Sequence, residues 1–295
     1  MKICLIYNKK SSRGNRSIHV KKIYEEIKKK FIIDLYETKT EQEASDIIKN
    51  IQKNKYDRLI LAGGDGTVLF AINEIIKFED KFLESLVIGY IPCGTANILK
   101  HELKIPKKIN HIVETLTSNK IKKTNLFKIN DRFFLLMASS GWDAEIVQSI
   151  NSPIKKRLGK IIFIIKCLQK FILMKNNKFK ALINGEEIYT DWIICSNTRY
   201  YAGKYSLNNT NIFENRIIIS IIKDLSRIKL LYLIYIILFY RDLSLAKGVV
   251  STSSRSISLE KLSTNISVQI DGDYIGSFAK VNIEASDKKI NLIHG

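Results

Sequence analysis

Leu59-Ile60-Leu61-Ala62-Gly63-Gly64-Asp65-Gly66-Thr67-Val68 decides the fold, because an apolar run enters three glycines around one aspartate and leaves as a helical pattern. The run predicts a strand over Arg58 to Ala62. Missing Cβ atoms at Gly63 and Gly64 permit positive φ and let backbone N–H groups turn toward a ligand. Thr67 is expected to open a helix through about Lys77, with free N–H groups and a positive dipole end that favour an anion. Asp65 lies in the same turn and can meet phosphates only through Mg²⁺ or a proton, so the pairing points to a metal-nucleotide. The competing reading is an ordinary strand-to-helix turn that uses Asp-Gly for its geometry. A second unit follows. Val87-Ile88-Gly89-Tyr90-Ile91 reads as another buried strand, ending in Pro92-Cys93-Gly94-Thr95-Ala96-Asn97 before a further helix. In a parallel sheet both turns lie at the carboxyl ends of their strands, where open α/β sheets bind ligands.

Outward from these units, the first part of the chain alternates strands and helices: Lys2 to Tyr7, Ser17 to Lys30, Ile32 to Tyr36 and Glu41 to Asn54. That alternation predicts an α/β domain with a parallel sheet over residues 1–124. After about Lys123 strands dominate: Leu126 to Ile129, Phe133 to Ser139, a hairpin over Lys180 to Tyr189 around Asn184-Gly185, Ile193 to Ser196, Ile217 to Ile222, Ile266 to Ile270 and Val281 to Glu284. Residues 125–295 are therefore expected to form a mostly β, sandwich-like domain, with a return of the last residues to the first domain left open.

The 295 residues carry a formal net charge of +19. Such a balance attracts polyanions, whether nucleic acid, anionic lipid surfaces or phosphorylated substrates, although richness in Lys, Ile and Asn is also what an AT-rich genome imposes. Zinc-finger spacing, RNA-recognition signatures and basic-aromatic grooves are missing from the sequence, which sets nucleic acid aside. Cys4, Cys93, Cys167 and Cys195 lack paired spacing and are expected as reduced thiols in a cytosolic compartment. The start at Met1 shows no signal-peptide pattern. Leu230 to Tyr240, at 11 residues, is too short to span a bilayer. It reads as a helix packed on the β domain or as an interfacial helix with basic flanks. In Pro153 to Leu173, Lys155, Lys156, Arg157, Lys160, Lys166 and Lys170 are interleaved with apolar residues. This stretch reads as a helix resting on anionic headgroups or as a solvated basic face.

Gly-Gly-Asp-Gly-Thr and Pro-x-Gly-Thr-x-Asn together resemble the nucleotide site of the diacylglycerol kinase catalytic-domain family, which includes bacterial lipid kinases and the sphingosine and ceramide kinases. Ser140-Gly141-Trp142-Asp143-Ala144 is similar to the family's Gly-x-Asp-Ala segment, Tyr201-Ala202-Gly203 to its glycine-rich strand end, and Val268-Gln269-Ile270-Asp271-Gly272-Asp273 to its Asp-Gly-Glu motif. These landmarks occur in the family's order across nearly the whole chain. The resemblance implies an ATP- and Mg²⁺-dependent kinase acting on a hydroxyl of diacylglycerol or a similar lipid, in a cleft between two domains. Asp273 is implied as the base, one methylene shorter than the family's glutamate. Nucleotide contacts are implied at Asn8, Ser11, Thr40, Gly63, Gly64, Asp65, Gly66, Thr67, Gly94, Thr95 and Asn97, with Thr38 as the alternative register for Thr40. Asp143 and Asp271 are implied as supporting acids, and Asp65, Glu214 and Asn215 as metal positions.

Two departures accompany the resemblance. The family's Asn-Pro-x-Ser-Gly loop reads Asn8-Lys9-Lys10-Ser11-Ser12, and its Asp-Gly downstream of Pro-x-Ala reads Glu214-Asn215-Arg216. A neutral amide is a poorer Mg²⁺ ligand than a carboxylate, so either Glu214 substitutes or the second metal is lost. Competing readings are a soluble kinase like the NAD kinases and a catalytically silent lipid- or nucleotide-binding protein. The lipid-kinase reading expects a cytoplasmic protein peripherally attached to an anionic membrane.

Overall fold

Apolar runs separated by amphipathic segments dominate the first part of the chain, and strand follows strand beyond it. The computed structural model describes residues 1–9, 15–150, 160–174, 178–261 and 264–295. It divides into two compact units, residues 1–126 with 286–295, and residues 127–285.

The first unit contains β1 (Lys2–Asn8), α1 (Asn15–Lys28), β2 (Ile32–Thr38), α2 (Glu41–Lys49), β3 (Arg58–Gly63), α3 (Asp65–Ile75), α4 (Asp80–Ser85), β4 (Val87–Pro92), α5 (Ile98–Glu102) and α6 (Ile109–Thr117). Its strands run parallel in the order β2-β1-β3-β4. Ile3 through Tyr7 and Leu59 through Ala62 are all buried, as continuous apolar runs must be in a sheet covered on both faces. The sheet is completed beside β4 by the end of the last strand, β18 (Lys280–Ile293), with Asn291 opposite Val87 and Leu292 opposite Ile88.

The second unit begins within β5 (Ile121–Ile129) and continues through β6 (Arg132–Phe134), β7 (Met137–Gly141), α7 (Trp142–Gln148), α8 (Lys160–Ile172), β8 (Phe179–Ile183), β9 (Glu186–Thr190) and β10 (Trp192–Ser196). A short ribbon, β11 (Tyr200–Tyr201) and β12 (Tyr205–Ser206), precedes β13 (Ile217–Ile222) and α9 (Arg227–Tyr240). Then come β14 (Val249–Ser254), β15 (Ser256–Glu260), β16 (Ile266–Ile270), β17 (Asp273–Phe278) and the first part of β18. One antiparallel sheet has the order β14-β13-β10-β7-β16-β17, and the other strands of the unit pair as β18-β15-β8-β9 with the β5-β6 hairpin. An α/β unit with a parallel sheet plus a β-sandwich unit is the fold class expected from the sequence.

Three expectations are corrected. The helix expected to open at Thr67 begins at Asp65, with Gly64 as its N-cap. α2 stops at Lys49 rather than Asn54 because the Asn50 N–H folds back on Ile47 and Ile48. The strand expected over Val281 to Glu284 runs on to Ile293. There Ser286-Asp287-Lys288-Lys289 interrupts the apolar pattern, and pairing with β4 rather than periodicity holds the strand. Among the described residues no helix is long and apolar enough to cross a membrane. Cys4, Cys93 and Cys195 are buried, and burial pushes the Cys4 thiol up to about 12.

Ile290, Leu292 and Ile293 at the end of β18 are each no more than 2% exposed. At about 1.5–3 kcal/mol per fully buried apolar side chain, deleting residues 286–295 is expected to cost roughly 5 kcal/mol or more. Urea unfolding followed by far-UV circular dichroism should show a large fall in the midpoint of the first unit, and an unchanged midpoint would rule out a structural role for this strand.

Candidate functional site

The glycine turns are built by close approach and not by left-handed backbone. Gly64 has φ −93 and ψ 179, and Gly63, Gly66 and Gly94 likewise lack positive φ, so the freedom that the missing Cβ atoms permit is not used here. Space is what forbids a side chain. A Cβ on Gly63 would sit 2.3 Å from Thr67 Oγ1, and one on Gly94 would sit 2.6 Å from the Gly64 Cα. The turns after β3 and β4 therefore touch backbone to backbone, and the Cys93 N–H donates to the Gly63 carbonyl at 2.7 Å.

Asp65 ties the turns together. Its Oδ2 accepts from the Ile98 N–H at 2.9 Å and its Oδ1 from the Leu99 N–H at 3.1 Å, so the first helix's aspartate satisfies the opening amides of α5. Asn97, left-handed at φ 50, holds the second turn closed. Its Oδ1 accepts from the Gly94 N–H and the Tyr90 hydroxyl, and its amide donates to the Gly94 carbonyl. Thr67 lies in the first turn of α3, and Thr95 is exposed at the tip of the second turn. Arg16, which no sequence motif singled out, donates to the Cys93 carbonyl at 2.8 Å and sets a cation beside the turns. In the sequence it stands one residue ahead of the helix expected from Ser17.

Asn8 ends β1 level with Thr38, and Thr38 is buried. Thr40 instead caps α2, accepting from the Glu43 N–H at 3.2 Å. This cap is a sufficient local reason for a threonine at position 40. Ser11 lies outside the described residues, as do Lys155, Lys156 and Arg157.

In the second unit Asp271 and Gly272 both have positive φ, at 49 and 88. They form the two-residue turn between β16 and β17, with Ile270 opposite Asp273. Asp271 Oδ1 accepts from the Leu136 and Met137 N–H groups, which pins the turn to the chain entering β7. Asp273 is the exposed first residue of β17. Behind the turn stands a buried polar chain: Gln269 accepts from the Gly272 N–H at 2.8 Å and donates to Ser139 Oγ at 2.7 Å and to Asp143 Oδ2 at 3.4 Å. Asp143 also accepts from Ser139, the Ala144 N–H and the Tyr201 hydroxyl. Burial pushes the Asp143 carboxyl up, against these donors, and it raises the Tyr201 hydroxyl well above its ordinary range. α7 can start here because Gly141 has φ +104, and a Cβ there would meet the Asp191 carbonyl at 2.2 Å. Ser139 and Gln269 were not singled out from the sequence. Their signal is a polar residue inside a buried strand, where partners are obligatory.

The donors at Glu214 and Asn215 do not fit a second Mg²⁺. Glu214 is taken up by Arg216 at 2.8 Å, the Asn211 amide at 2.6 Å and the Thr210 hydroxyl at 3.2 Å. Asn215 adds no carboxylate, and among the described residues no group of three or more His, Cys, Asp or Glu could hold a metal. Asp65 is different. It is a carboxylate beside both turns, the hard oxygen donor that Mg²⁺ takes, and it would serve as one ligand to that ion.

Residues 2–129 match the family model of the diacylglycerol kinase catalytic domain, so the resemblance read from the motifs holds, and the matched domain is that of a phosphotransferase family. Along 98% of its length the chain is 25% identical to 95% of a Staphylococcus carnosus (strain TM300) protein named "Putative lipid kinase". It is 28% identical over 156 residues to a diacylglycerol kinase of the same strain, spanning 50% of that protein. It is 26% identical over 188 residues to the diacylglycerol kinase of Bacillus subtilis (strain 168), spanning 59% of it. A crystal structure of a diacylglycerol kinase from Bacillus anthracis str. Sterne superposes with a TM-score of 0.76 at 22% identity, covering 100% of this chain and 97% of that one. At that identity the likeness shows a shared fold.

Asp143 gives a pH prediction with a definite sign. Its folded pKa is raised, so the folded protein holds the proton more tightly than the unfolded chain does. The group's contribution to stability is full below the unfolded value, about 4, and is lost as pH rises through the folded one. The unfolding free energy of wild type minus that of Asp143→Asn is expected to fall as pH rises from about 4, measured by urea titration. A difference that grows with pH contradicts this.

Proposed function

We propose that this chain is a lipid kinase that transfers the γ-phosphate of ATP to a hydroxyl of diacylglycerol or a similar lipid. The observation that carries the reading is the paired glycine turn. Two strand ends in a parallel sheet are brought into backbone contact by Gly63, Gly64 and Gly94 and braced by Asp65, at the carboxyl edge where α/β sheets bind nucleotides. The match of residues 2–129 to the diacylglycerol kinase catalytic domain supports it.

In this reading the turn amides and the start of α3 hold the nucleotide phosphates, with Arg16, Asn8 and Thr95 at their margin. Mg²⁺, bound through Asp65, supplies charge neutralisation on the phosphates. Phosphoryl transfer then needs positioning and a proton acceptor. Asp273, exposed at the start of β17, takes the proton from the acceptor hydroxyl as its oxygen bonds to phosphorus and ADP leaves. Asp271 and Gln269 fix the hairpin that presents Asp273, and Asp143 anchors Gln269 from behind. Such an enzyme works as a cytoplasmic protein attached peripherally to an anionic membrane.

Incubating the purified protein with labelled ATP, Mg²⁺, NAD and a panel of lipids in mixed micelles should label a lipid hydroxyl. Labelling of NAD and of no lipid would favour a soluble kinase, and labelling of nothing a silent binding protein. Asp273→Asn is expected to lower kcat by about 10²–10⁴-fold, the usual loss for a general base, with little change in the KM for ATP, while Asp273→Glu retains activity. A raised KM at unchanged kcat would make Asp273 a binding group. Asp65→Asn keeps its shape but loses the charge and one acceptor, so it should abolish transfer with circular dichroism preserved.

A further inference from the structure

Helix α9 is apolar around its whole circumference, yet only one side of it is packed. Its sequence, RIKLLYLIYIILFY, contains no carboxylate. Leu230, Leu233 and Ile236 face the core of the second unit beside Trp192 and Leu243. On the opposite side Ile228, Leu231, Tyr235 and Leu238 follow helical spacing and stand exposed, joined by Phe239 at 73% exposure. A helix at a water interface normally turns charged residues outward, and one that is hydrophobic all round belongs in a core or a membrane.

Neighbouring α8 repeats the pattern. KIIFIIKCLQKFI also lacks a carboxylate, and it exposes Ile164, Leu168 and Ile172 at four-residue spacing. The two helices are joined: the Arg227 guanidinium donates to the Ile172 carbonyl at 2.8 Å, and Phe171 and Met174 pack on the same core cluster as α9. Both elements of this joined pair therefore carry exposed apolar residues. Charge at its margins is cationic. Lys223, Arg227, Arg241 and Lys247 are exposed at the ends of α9 and outnumber the acids there, Asp224, which pairs with Lys178, and Asp242, which keeps its charge while accepting from Ser244.

We propose that the outward faces of α9 and α8 dock the protein on an anionic lipid surface, with Leu231, Tyr235, Leu238 and Phe239 entering the headgroup boundary and the flanking cations meeting lipid phosphates. This deepens the lipid-kinase reading and rests on it for its purpose, though not for its chemistry. The rim decides among occupants. A second copy would bring the same cationic margin and the same net charge of +19 against itself, while an anionic bilayer is complementary in both charge and apolarity. Fourteen residues of α9 are too few to span, so the helix lies in the interface plane.

The test uses the full chain and vesicles of phosphatidylcholine with or without phosphatidylglycerol. Cosedimentation should require phosphatidylglycerol and weaken with salt, and Leu238→Ser with Phe239→Ser should reduce binding at least tenfold. Separately, Phe239→Trp should give a blue-shifted emission on adding anionic vesicles, after subtraction of the wild-type signal from Trp142 and Trp192. Binding by the double variant equal to wild type, or an unshifted signal from the introduced indole on bound protein, overturns the proposal. So does a concentration-dependent dimer that the double variant abolishes. Turnover of a short-chain, water-soluble diacylglycerol separates the two readings. The double variant should match wild type on it, and a wild type that binds vesicles with the blue shift but labels no acceptor overturns the kinase assignment while leaving the docking surface in place.

Discussion

The bond between the Asp65 carboxylate and the opening amides of α5 is the constraint on which the first unit's candidate site depends. A parallel sheet places the ends of β3 and β4 at one edge, but nothing in sheet geometry makes the turns beyond them meet. Asp65 does so by accepting from Ile98 and Leu99, and the absence of Cβ atoms at Gly64 and Gly94 lets the backbones close to contact. The two turns become one braced feature. Amides held at a fixed spacing lose little freedom when a phosphate arrives, which is the physical content of preorganisation.

The second unit solves a similar problem with one carboxylate and one buried amide. A two-residue hairpin turn is mobile unless something holds it, and Asp271-Gly272 is held from both sides, by the amides of Leu136 and Met137 and by Gln269. Gln269 is positioned in turn by Ser139 and Asp143. Burying Asp143 is costly, as its raised pKa reflects, and four donors offset that cost. The expense is intelligible if the orientation of Asp273 matters.

Much of this was legible in the sequence because periodicity and turn chemistry are local. Ile217 to Ile222 and Ile266 to Ile270 are strands with the expected limits, and Asn184-Gly185 makes the expected hairpin. The candidate residues were legible as types, but the work they do was not. The space the glycines clear was not legible, nor were the bonds by which Asn97 closes its own turn and Thr40 caps its own helix. Asp65 suggested a metal, and its protein partners, thirty-three and thirty-four residues away, leave no trace in local pattern. The apolar run Leu230 to Tyr240 was read as either packed or interfacial, and it is one helix with a packed side and an exposed one. The end of β18 escaped because its first residues are polar and only a distant partner strand defines it.

The brace is tested most directly by amide hydrogen exchange at residues 63–67 and 94–99, in wild type and in Asp65→Ala, with and without ATP and Mg²⁺. In wild type, slow exchange at Ile98 and Leu99 without nucleotide, and added protection of both turns together on binding, is the expected result. In Asp65→Ala those two amides should exchange much faster and the joint protection should disappear. Unchanged protection at Ile98 and Leu99 in the variant, or nucleotide protection confined to other segments, would contradict a site built on Asp65.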